Sequence, residues 1–325
     1  MRLDRRLVAA GIALVLAALL LAPLWAGNFG VYLLMQVMLL ALFALGFNLL
    51  LGYTGLLSFG QAGFFAVGAY VCALILLEVP SLLLGIAGGV LAAGLAALVL
   101  GYLSVRLTEI YFAMLTLSFG MMIYSLAIRW RDVTGGDDGL TGVPRAPLEL
   151  PFLSVDLSVM SHYYYFVLAV TVVAVWVMHR IVNSPLGLTF QAIRDSGVRA
   201  SYIGLPIRRF RLWAFLIAGL YAGLAGSLLA PLERTITPIY AHWMYSAEPV
   251  LASLIGGIYV FAGPIVGAVL FIGIKEVIVR FTEHWMLVMG IVVIALVLGF
   301  RGGVLGTLAR WNEKQEDGRD AAHEE

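Results

Sequence analysis

Between Leu7 and Leu77 the chain carries no Asp, Glu, Lys or Arg, and a second charge-free run spans residues 79–105. Because a helix needs about 20 apolar residues to cross a bilayer, the first run alone holds about three crossings. The whole chain is 62% hydrophobic and only 12% charged, about half the charged share of a typical soluble domain. These features predict an all-α polytopic membrane protein and exclude a large soluble core. A β-barrel would instead show short alternating segments.

Apolar segments of suitable length predict about ten membrane-spanning helices. The start "MRLDRR" resembles a signal peptide, but the apolar run that follows is long and lacks a clear A-x-A site, so an uncleaved first helix is predicted. Over 247–281 the pattern leaves open one broken helix, a re-entrant pair or two short crossings. The predicted spans are residues 7–26, 30–51, 61–78, 82–105, 110–128, 162–179, 211–231, 247–260, 264–281 and 284–300.

The distribution of basic residues predicts the orientation of these spans. With the N-terminus in the cytoplasm, fourteen of the 20 Lys and Arg residues lie on the inner side and six on the outer side. Both termini are therefore predicted to be cytoplasmic.

The predicted organisation is a cytoplasmic N-terminus (1–6), a transmembrane domain (7–305) and a polar cytoplasmic tail (306–325) that is expected to be disordered. Two polar segments interrupt the domain. Residues 129–161 are rich in turn-forming residues and are predicted to form an extracytoplasmic loop. Residues 180–211 form the longest predicted cytoplasmic loop.

The predicted cytoplasmic loop has a pattern of apolar residues and glycines that membrane topology alone does not require. Ser184 and Pro185 are suited to open a short helix, and Asp195 and Ser196 to cap a second one that Gly204 ends. Two short helices at the membrane surface predict a docking knob for another protein, and the alternative is a basic loop that only obeys the positive-inside rule. The apolar face of the first helix is predicted to consist of Leu188, Ala192 and Ile193.

Several chemistries are excluded or disfavoured by the residues. The only lysines, Lys275 and Lys314, are followed by Glu and Gln, so neither fits the G-x-x-x-x-G-K-[ST] phosphate loop of a nucleotide hydrolase. No two histidines stand four apart, which disfavours a helical metal site, and Cys72 is the only cysteine. A basic patch with interleaved aromatics is also lacking, so no nucleic-acid partner is predicted. Five glutamates fall near predicted span ends, which disfavours an ion relay: Glu78, Glu109, Glu248, Glu276 and Glu283.

The stretch "GYTGLLSFGQAGFFAVGAY" (52–70) places five glycines inside the first charge-free run. Non-helical backbone is tolerated at membrane depth only where protein or a water-filled cavity surrounds it. The glycines therefore predict a hinge and a packing seam that face the bundle interior. A serine hydrolase built on Ser58 is the alternative, but it requires a base within hydrogen-bond reach, and no histidine is predicted at mid-membrane.

Five separated stretches resemble the longer of the two paired permease subunits of ABC importers for branched-chain amino acids. They are "NLLLGYTGLLSFGQAGFFAVGAY" (48–70), "IYFAMLTLSFG" (110–120), "VTGGDDGLTGVP" (133–144), "SPLGLTFQAIRDSGVRASYIGLPIRRFRLWAFLIAGLYAGLAGSL" (184–228) and "LIGGIYVFAGPIVGAVL" (254–270). The resemblance implies a bacterial inner-membrane permease with a fold like that of the vitamin B12 importer. It further implies a sister permease, two cytosolic ATPases that bind ATP and Mg, and an extracytoplasmic binding protein, with no cofactor in this chain.

The resemblance also assigns roles to residues. The segment 183–206 would couple the permease to an ATPase through Ser184, Pro185, Gly187, Ala192, Arg194, Asp195, Arg199 and Gly204. Independently of the resemblance, neutral polar residues are the candidates for the translocation path, and a hydrogen bond between helices is the alternative role of each: Ser58, Gln61, Tyr70, Thr116 and Ser118. The hinge and packing positions are Gly52, Gly55, Gly60, Gly63, Gly68, Gly256, Gly257, Gly263 and Pro264.

The predicted function is therefore uptake of branched-chain or other hydrophobic amino acids, driven by ATP hydrolysed on partner subunits. Import of urea or a short-chain amide is the alternative within the same family. An ion-coupled secondary transporter or a channel, which would work without partners, is the alternative outside it.

Overall fold

The computed structural model describes residues 5–107, 109–150, 153–299 and 302–307. Most of the predicted N-terminal segment and of the predicted tail lies outside these ranges. In the described part, a helix lies in each of the ten predicted spans, although the helix in the 247–260 span already ends at Gly256. The helices at these positions are α1 (Arg5–Trp25), α2 (Gly27–Asn48), α3 (Gln61–Glu78), α4 (Leu82–Ser104), α5 (Glu109–Arg129), α7 (Met160–Val182), α10 (Ile207–Glu233), α11 (Trp243–Gly256), α12 (Gly263–Phe281) and α13 (Trp285–Gly299).

Shorter elements connect these helices. A π-helix, Leu49–Thr54, extends α2, and a 3₁₀ turn, Pro238–Ala241, precedes α11. The connecting α-helices are α6 (Arg131–Thr134), α8 (Pro185–Asp195) and α9 (Gly197–Tyr202), and the strands are β1 (Leu140–Thr141), β2 (Leu148–Leu150), β3 (Leu153–Val155) and β4 (Thr235–Ile236).

Six of the helices in the described ranges are long and apolar enough to cross a membrane on their own. They are α2 with its π-helical extension, α3, α4, α5, α7 and α10. The chain is therefore a multi-spanning helical membrane protein, and six is the number of crossings that length and composition support. The figure of ten crossings stays a prediction.

The region 247–281 forms two helices rather than one broken helix. α11 has 14 residues and is about 21 Å long at 1.5 Å per residue, which is shorter than the roughly 30 Å hydrocarbon core. A turn over 257–262 reverses the chain into α12. A Cβ on Gly256 would overlap the carbonyl oxygen of Gly263, and one on Gly267 would overlap that of Ala252. Glycine at these positions therefore lets the two helices touch along their backbones.

Small residues also hold the centre of the bundle together, where α3, α4 and α10 meet. A Cβ on Gly68 would overlap the backbone of Gly223 on α10, and Gly223 in turn faces Ala93 on α4. Backbones that approach this closely gain van der Waals contact, which is the main attraction between helices in lipid.

At the end of the bundle where α10 finishes, the long 129–161 loop is tied down at two places. Strands β1 and β4 pair antiparallel, with Leu140 opposite Ile236. The Arg145 guanidinium donates to the carbonyl oxygens of Pro231 and Leu232 at 3.0 and 3.2 Å, and thereby satisfies acceptors that the end of α10 leaves free. Burial lowers the pKa of Arg145 from its ordinary value.

Candidate functional site

The glycine-rich stretch forms a break in helical structure inside the bundle. Gly55 has a φ of 73° and ends the π-helix in a left-handed conformation, which glycine adopts without a steric penalty. Residues 55–60 are then not helical, and α3 begins at Gln61. The predicted hinge at Gly52 and Gly55 is thus a region of irregular backbone in the structure, with Gly52 inside the π-helix.

Side chains from two other helices satisfy the backbone of this break. The Phe59 amide donates to Oγ1 of Thr116 on α5 at 3.3 Å. The Ala62 amide, in the first turn of α3, donates to Oγ of Ser246 on α11 at 2.9 Å. The first amides of a helix have no partner within it, and at membrane depth they need one from the protein. Thr116 and Ser246 supply it.

These contacts create a neutral polar cluster, which we call the break cluster: Ser58, Gln61, Thr116 and Ser246. All four side chains are buried, with at most 1% of their surface exposed. The Gln61 amide donates to Ser58 Oγ at 3.5 Å, while Gln61 Oε1 has no hydrogen-bond partner in the described part of the chain. The cluster therefore holds a buried acceptor that has no partner among the described residues.

The structure brings three of the five candidate path residues together: Ser58, Gln61 and Thr116. Tyr70 lies on the same helix as Gln61, about 13 Å farther along at 1.5 Å per residue, and its buried hydroxyl has no partner among the residues described. Ser118 does not join the cluster. It is exposed on the opposite side of α5 from Thr116, and its hydroxyl donates to the Met114 carbonyl at 3.0 Å.

The predicted packing positions lie where helices touch. A Cβ on Gly60 would overlap the Thr116 carbonyl oxygen, and one on Gly63 would be 2.8 Å from Ile123 Cδ1, so both face α5. Gly257 has a φ of 117° in the α11–α12 turn, and Pro264 lies in the first turn of α12, where its fixed φ suits the helix.

The 180–211 segment, predicted to be cytoplasmic, contains two short helices, as predicted. Pro185 opens α8. The Ser196 hydroxyl accepts from the Arg199 amide at 3.3 Å and caps α9, while Asp195 is the last residue of α8 and does not cap α9. Gly204, with a φ of 85°, follows the end of α9.

The apolar face of α8 differs from the predicted one. Of Leu188, Ala192 and Ile193, only Ile193 is buried, and α8 buries Gly187 and Phe190 beside it. A Cβ on Gly187 would overlap the Val182 carbonyl oxygen, so glycine lets α8 cross the end of α7. The prediction failed because local spacing shows that a helix is amphipathic but not which neighbour it packs against.

The residues of α8 and α9 that face outward form an exposed apolar surface, which we call the knob surface. Its large members are Leu188, Val198, Tyr202 and Ile203, which are 64, 65, 84 and 76% exposed. Ala192 and the exposed Arg199 lie on the same two helices. Exposed apolar patches rimmed by polar residues mark interaction sites.

Two half-buried carboxylates have partners that were not predicted, because these partners lie on other helices. Glu233 Oε1 accepts from the Tyr32 hydroxyl at 2.7 Å and the Gln36 amide at 3.5 Å. Glu248 pairs with Lys275 at 3.0 Å. Both border a cavity of about 140 Å³ between α2, α3, α10, α11 and α12. Glu248 was predicted near a span end, and here it is 16% exposed.

Three of the histidines in the described ranges make contacts away from Ser58. His162 Nδ1 lies 2.7 Å from the Asp156 carbonyl oxygen, His179 contacts Asn183, and His242 Nδ1 accepts from the Met244 amide at 3.3 Å. Within the described residues, no group of three or more His, Cys, Asp or Glu side chains is placed to hold a metal ion.

Comparison with known proteins identifies the family. Residues 29–297 match the family described as "Branched-chain amino acid transport system / permease component". The chain belongs to this permease family. The matched range extends from the start of α2 into α13 and includes the break cluster and both knob helices.

Individual relatives are permeases too. The high-affinity branched-chain amino acid transport system permease protein LivM of Escherichia coli (strain K12) is 31% identical, over 82% of this chain and 68% of its own length. LivM of Salmonella typhimurium is 30% identical over 83% of this chain and 68% of its own length. The L-arabinose ABC transporter permease protein AraH of Azospirillum brasilense is 27% identical over 68% of this chain and 64% of its own length. No solved structure matches the chain, so the likeness to the vitamin B12 importer stays a prediction.

Proposed function

We propose that this permease is the transmembrane subunit of an ATP-driven importer that takes up branched-chain amino acids delivered by a binding protein. Membership of the permease family carries the proposal, and the substrate rests on the two LivM relatives. AraH, whose name gives a sugar as its substrate, matches as well, so substrate choice is the part of the proposal that needs direct measurement. Urea or a short-chain amide remains the alternative substrate.

The partners follow from how such an importer must work. ATP and Mg would bind to two cytosolic ATPases, because the sequence has no phosphate loop. A sister permease would complete the membrane domain, and lipid would cover the remaining apolar faces. The N- and C-termini would face the cytoplasm of a bacterial inner membrane, as the 14-to-6 division of the 20 basic residues favours.

The knob surface is proposed to seat in an ATPase groove. Phe190, Ile193 and Ala200 are buried and anchor α8 and α9 to the bundle, while Leu188, Val198, Tyr202 and Ile203 remain free for a partner. Exposed apolar side chains on helices that are themselves anchored by buried residues are typical of a docking element, because binding to a partner removes these side chains from water.

The break cluster is proposed to border the translocation path. A zwitterion that passes through a bilayer needs hydrogen-bond partners but must not be held tightly. Neutral hydroxyl and amide groups meet this need, because each bond has a modest net strength of about 1 kcal/mol. The free Oε1 of Gln61 is the atom best suited to bind the substrate transiently.

Uptake of labelled leucine and urea into vesicles tests the function. The vesicles would contain the complete importer, with ATP or without it. ATP-dependent leucine uptake that is absent when residues 187–204 are deleted is the expected result. Leucine uptake by this chain alone, without ATPases, would refute the proposal and favour a secondary transporter, for which the cavity beside Glu233 and Glu248 would then be the first place to examine.

A further inference from the structure

The last turn of α8 makes direct contact with the glycine-rich break. Arg194 Nη1 donates to the Gly52 carbonyl oxygen at 2.5 Å, although the two residues are 142 positions apart. A Cβ on Gly55 would lie 3.2 Å from Arg194 Cγ and 3.8 Å from its Cα. The backbone of α8 therefore lies against the left-handed turn that ends the π-helix, and the guanidinium reaches past this turn into the hinge.

The same guanidinium also reaches the turn between α11 and α12. Arg194 Cζ lies 5.3 Å from the centroid of the Tyr259 ring, which is a cation–π distance. The two turns are themselves in contact, since a Cβ on Gly52 would overlap the carbonyl oxygen of Ile258. Arg194 thus holds two irregular segments of the membrane domain at once.

The Gly52 carbonyl lies near the end of the π-helix, where its oxygen can accept a hydrogen bond from another element. The carbonyls of Leu50 and Leu51 accept from Leu56 and Gly55 as the π-helix ends, and the last carbonyls of a helix have no partner within it. A cation there also interacts favourably with the helix dipole. Asp195, at 3.0 Å from Arg194 Nη2, holds the guanidinium from the other side.

We propose that Arg194 is the positioning residue that transmits movement of α8 to the break at residues 52–60. It would do so by moving the Gly52 carbonyl and the α11–α12 turn together. Movement of α8 would reach the break cluster along the five residues that separate Gly55 from Gln61. This inference rests on the proposed function, because it assumes that a partner ATPase moves α8.

The test uses the complete importer in vesicles and measures leucine uptake per ATP hydrolysed. Arg194→Met keeps the length of the side chain but removes both its charge and its donors. We expect uptake per ATP to fall about tenfold, as for the loss of a charge-assisted hydrogen bond, while the ATPase subunits co-purify in normal amount. Arg194→Lys, which keeps the charge, should restore a large part of the ratio.

Matched variants separate transmission from general damage. Arg180→Ala removes an exposed arginine whose guanidinium lies over the Trp176 ring, 5.2 Å from its centroid, and should leave the ratio unchanged. Tyr259→Leu should lower the ratio, whereas Tyr259→Phe keeps the ring and should not. The double variant Arg194→Met/Tyr259→Leu should lose no more than Arg194→Met alone, because the two changes break the same contact.

Hydrogen exchange tests the role of Arg194 without a transport assay. In the purified protein, Arg194→Met should speed exchange of the amides at 52–60 but not of those in α7. A wild-type importer without ATP-dependent uptake would refute the proposed function alone. An Arg194→Met variant that matches Arg180→Ala in both assays would refute the transmission role, and so would a fall in uptake that only follows loss of the ATPase subunits.

Discussion

The contact between Gly60 and α5 offers the sharpest test of how the start of α3 packs in the bundle. Gly60 has φ −94° and ψ 4°, values that alanine also adopts, so Gly60→Ala introduces no backbone strain and tests space alone. The new Cβ would overlap the Thr116 carbonyl oxygen and would lie 2.9 Å from its carbonyl carbon. Carbon atoms in favourable contact are about 3.5–4.0 Å apart, so α3 and α5 would have to separate by roughly 1 Å.

The cost of this separation has two parts. Overpacking of a close contact costs about 1–3 kcal/mol, and a weaker bond between the Phe59 amide and Thr116 Oγ1 adds about 1 kcal/mol. We expect Gly60→Ala to lower the free energy of unfolding by about 2–4 kcal/mol. The measurement is unfolding in mild detergent with increasing dodecyl sulfate, followed by circular dichroism.

Gly273→Ala is the matched control. Gly273 lies on α12, and a Cβ added there would meet no other atom of the described residues within 4 Å. Its replacement should therefore leave stability unchanged or raise it by up to about 1 kcal/mol, the difference in helix propensity. If Gly60→Ala is as stable as Gly273→Ala, then α3 and α5 are not in backbone contact at this point. The assignment of Thr116 to the break cluster would then be wrong.

Three further substitutions test separate features. Gly55→Ala forces alanine into the left-handed region and should lower the free energy of unfolding by about 1–2 kcal/mol in the same assay. Gly55→Asn should lower it by less. Equal stability of the wild type and both variants would contradict the 73° φ of Gly55. Lys275→Met leaves the partly buried Glu248 without its partner and should cost about 1–3 kcal/mol. Lys275→Met/Glu248→Gln should recover most of this loss. A double-mutant cycle measures the coupling, and simple additivity would argue against the ion pair. Ser196→Ala removes the hydroxyl that caps the Arg199 amide. The free energy of unfolding should fall by about 1 kcal/mol, and hydrogen exchange of the Arg199 amide should become faster. Unchanged exchange at Arg199 would count against the cap.

Much of the architecture follows from local sequence. Most predicted spans coincide with a helix to within a few residues, because a long apolar segment can satisfy its backbone in a bilayer only as a helix. The knob helices were also predictable, since Pro185 and Gly204 act on the residues beside them. The break at 52–60 was visible for the same reason, as glycine weakens a helix wherever it stands.

The contacts that give these elements a role were decided only by the tertiary structure. Ser246 was not predicted, because a lone serine carries no local sign that its hydroxyl will accept from an amide 184 residues away. The buried face of α8, the contact of Arg194 with Gly52 and the pair of Glu248 with Lys275 depend likewise on which helices become neighbours. Hydropathy and helical periodicity indicate whether a segment prefers water or lipid. Hydrogen bonds and backbone contacts instead form between specific atoms, and these atoms come together only when the helices pack into the bundle.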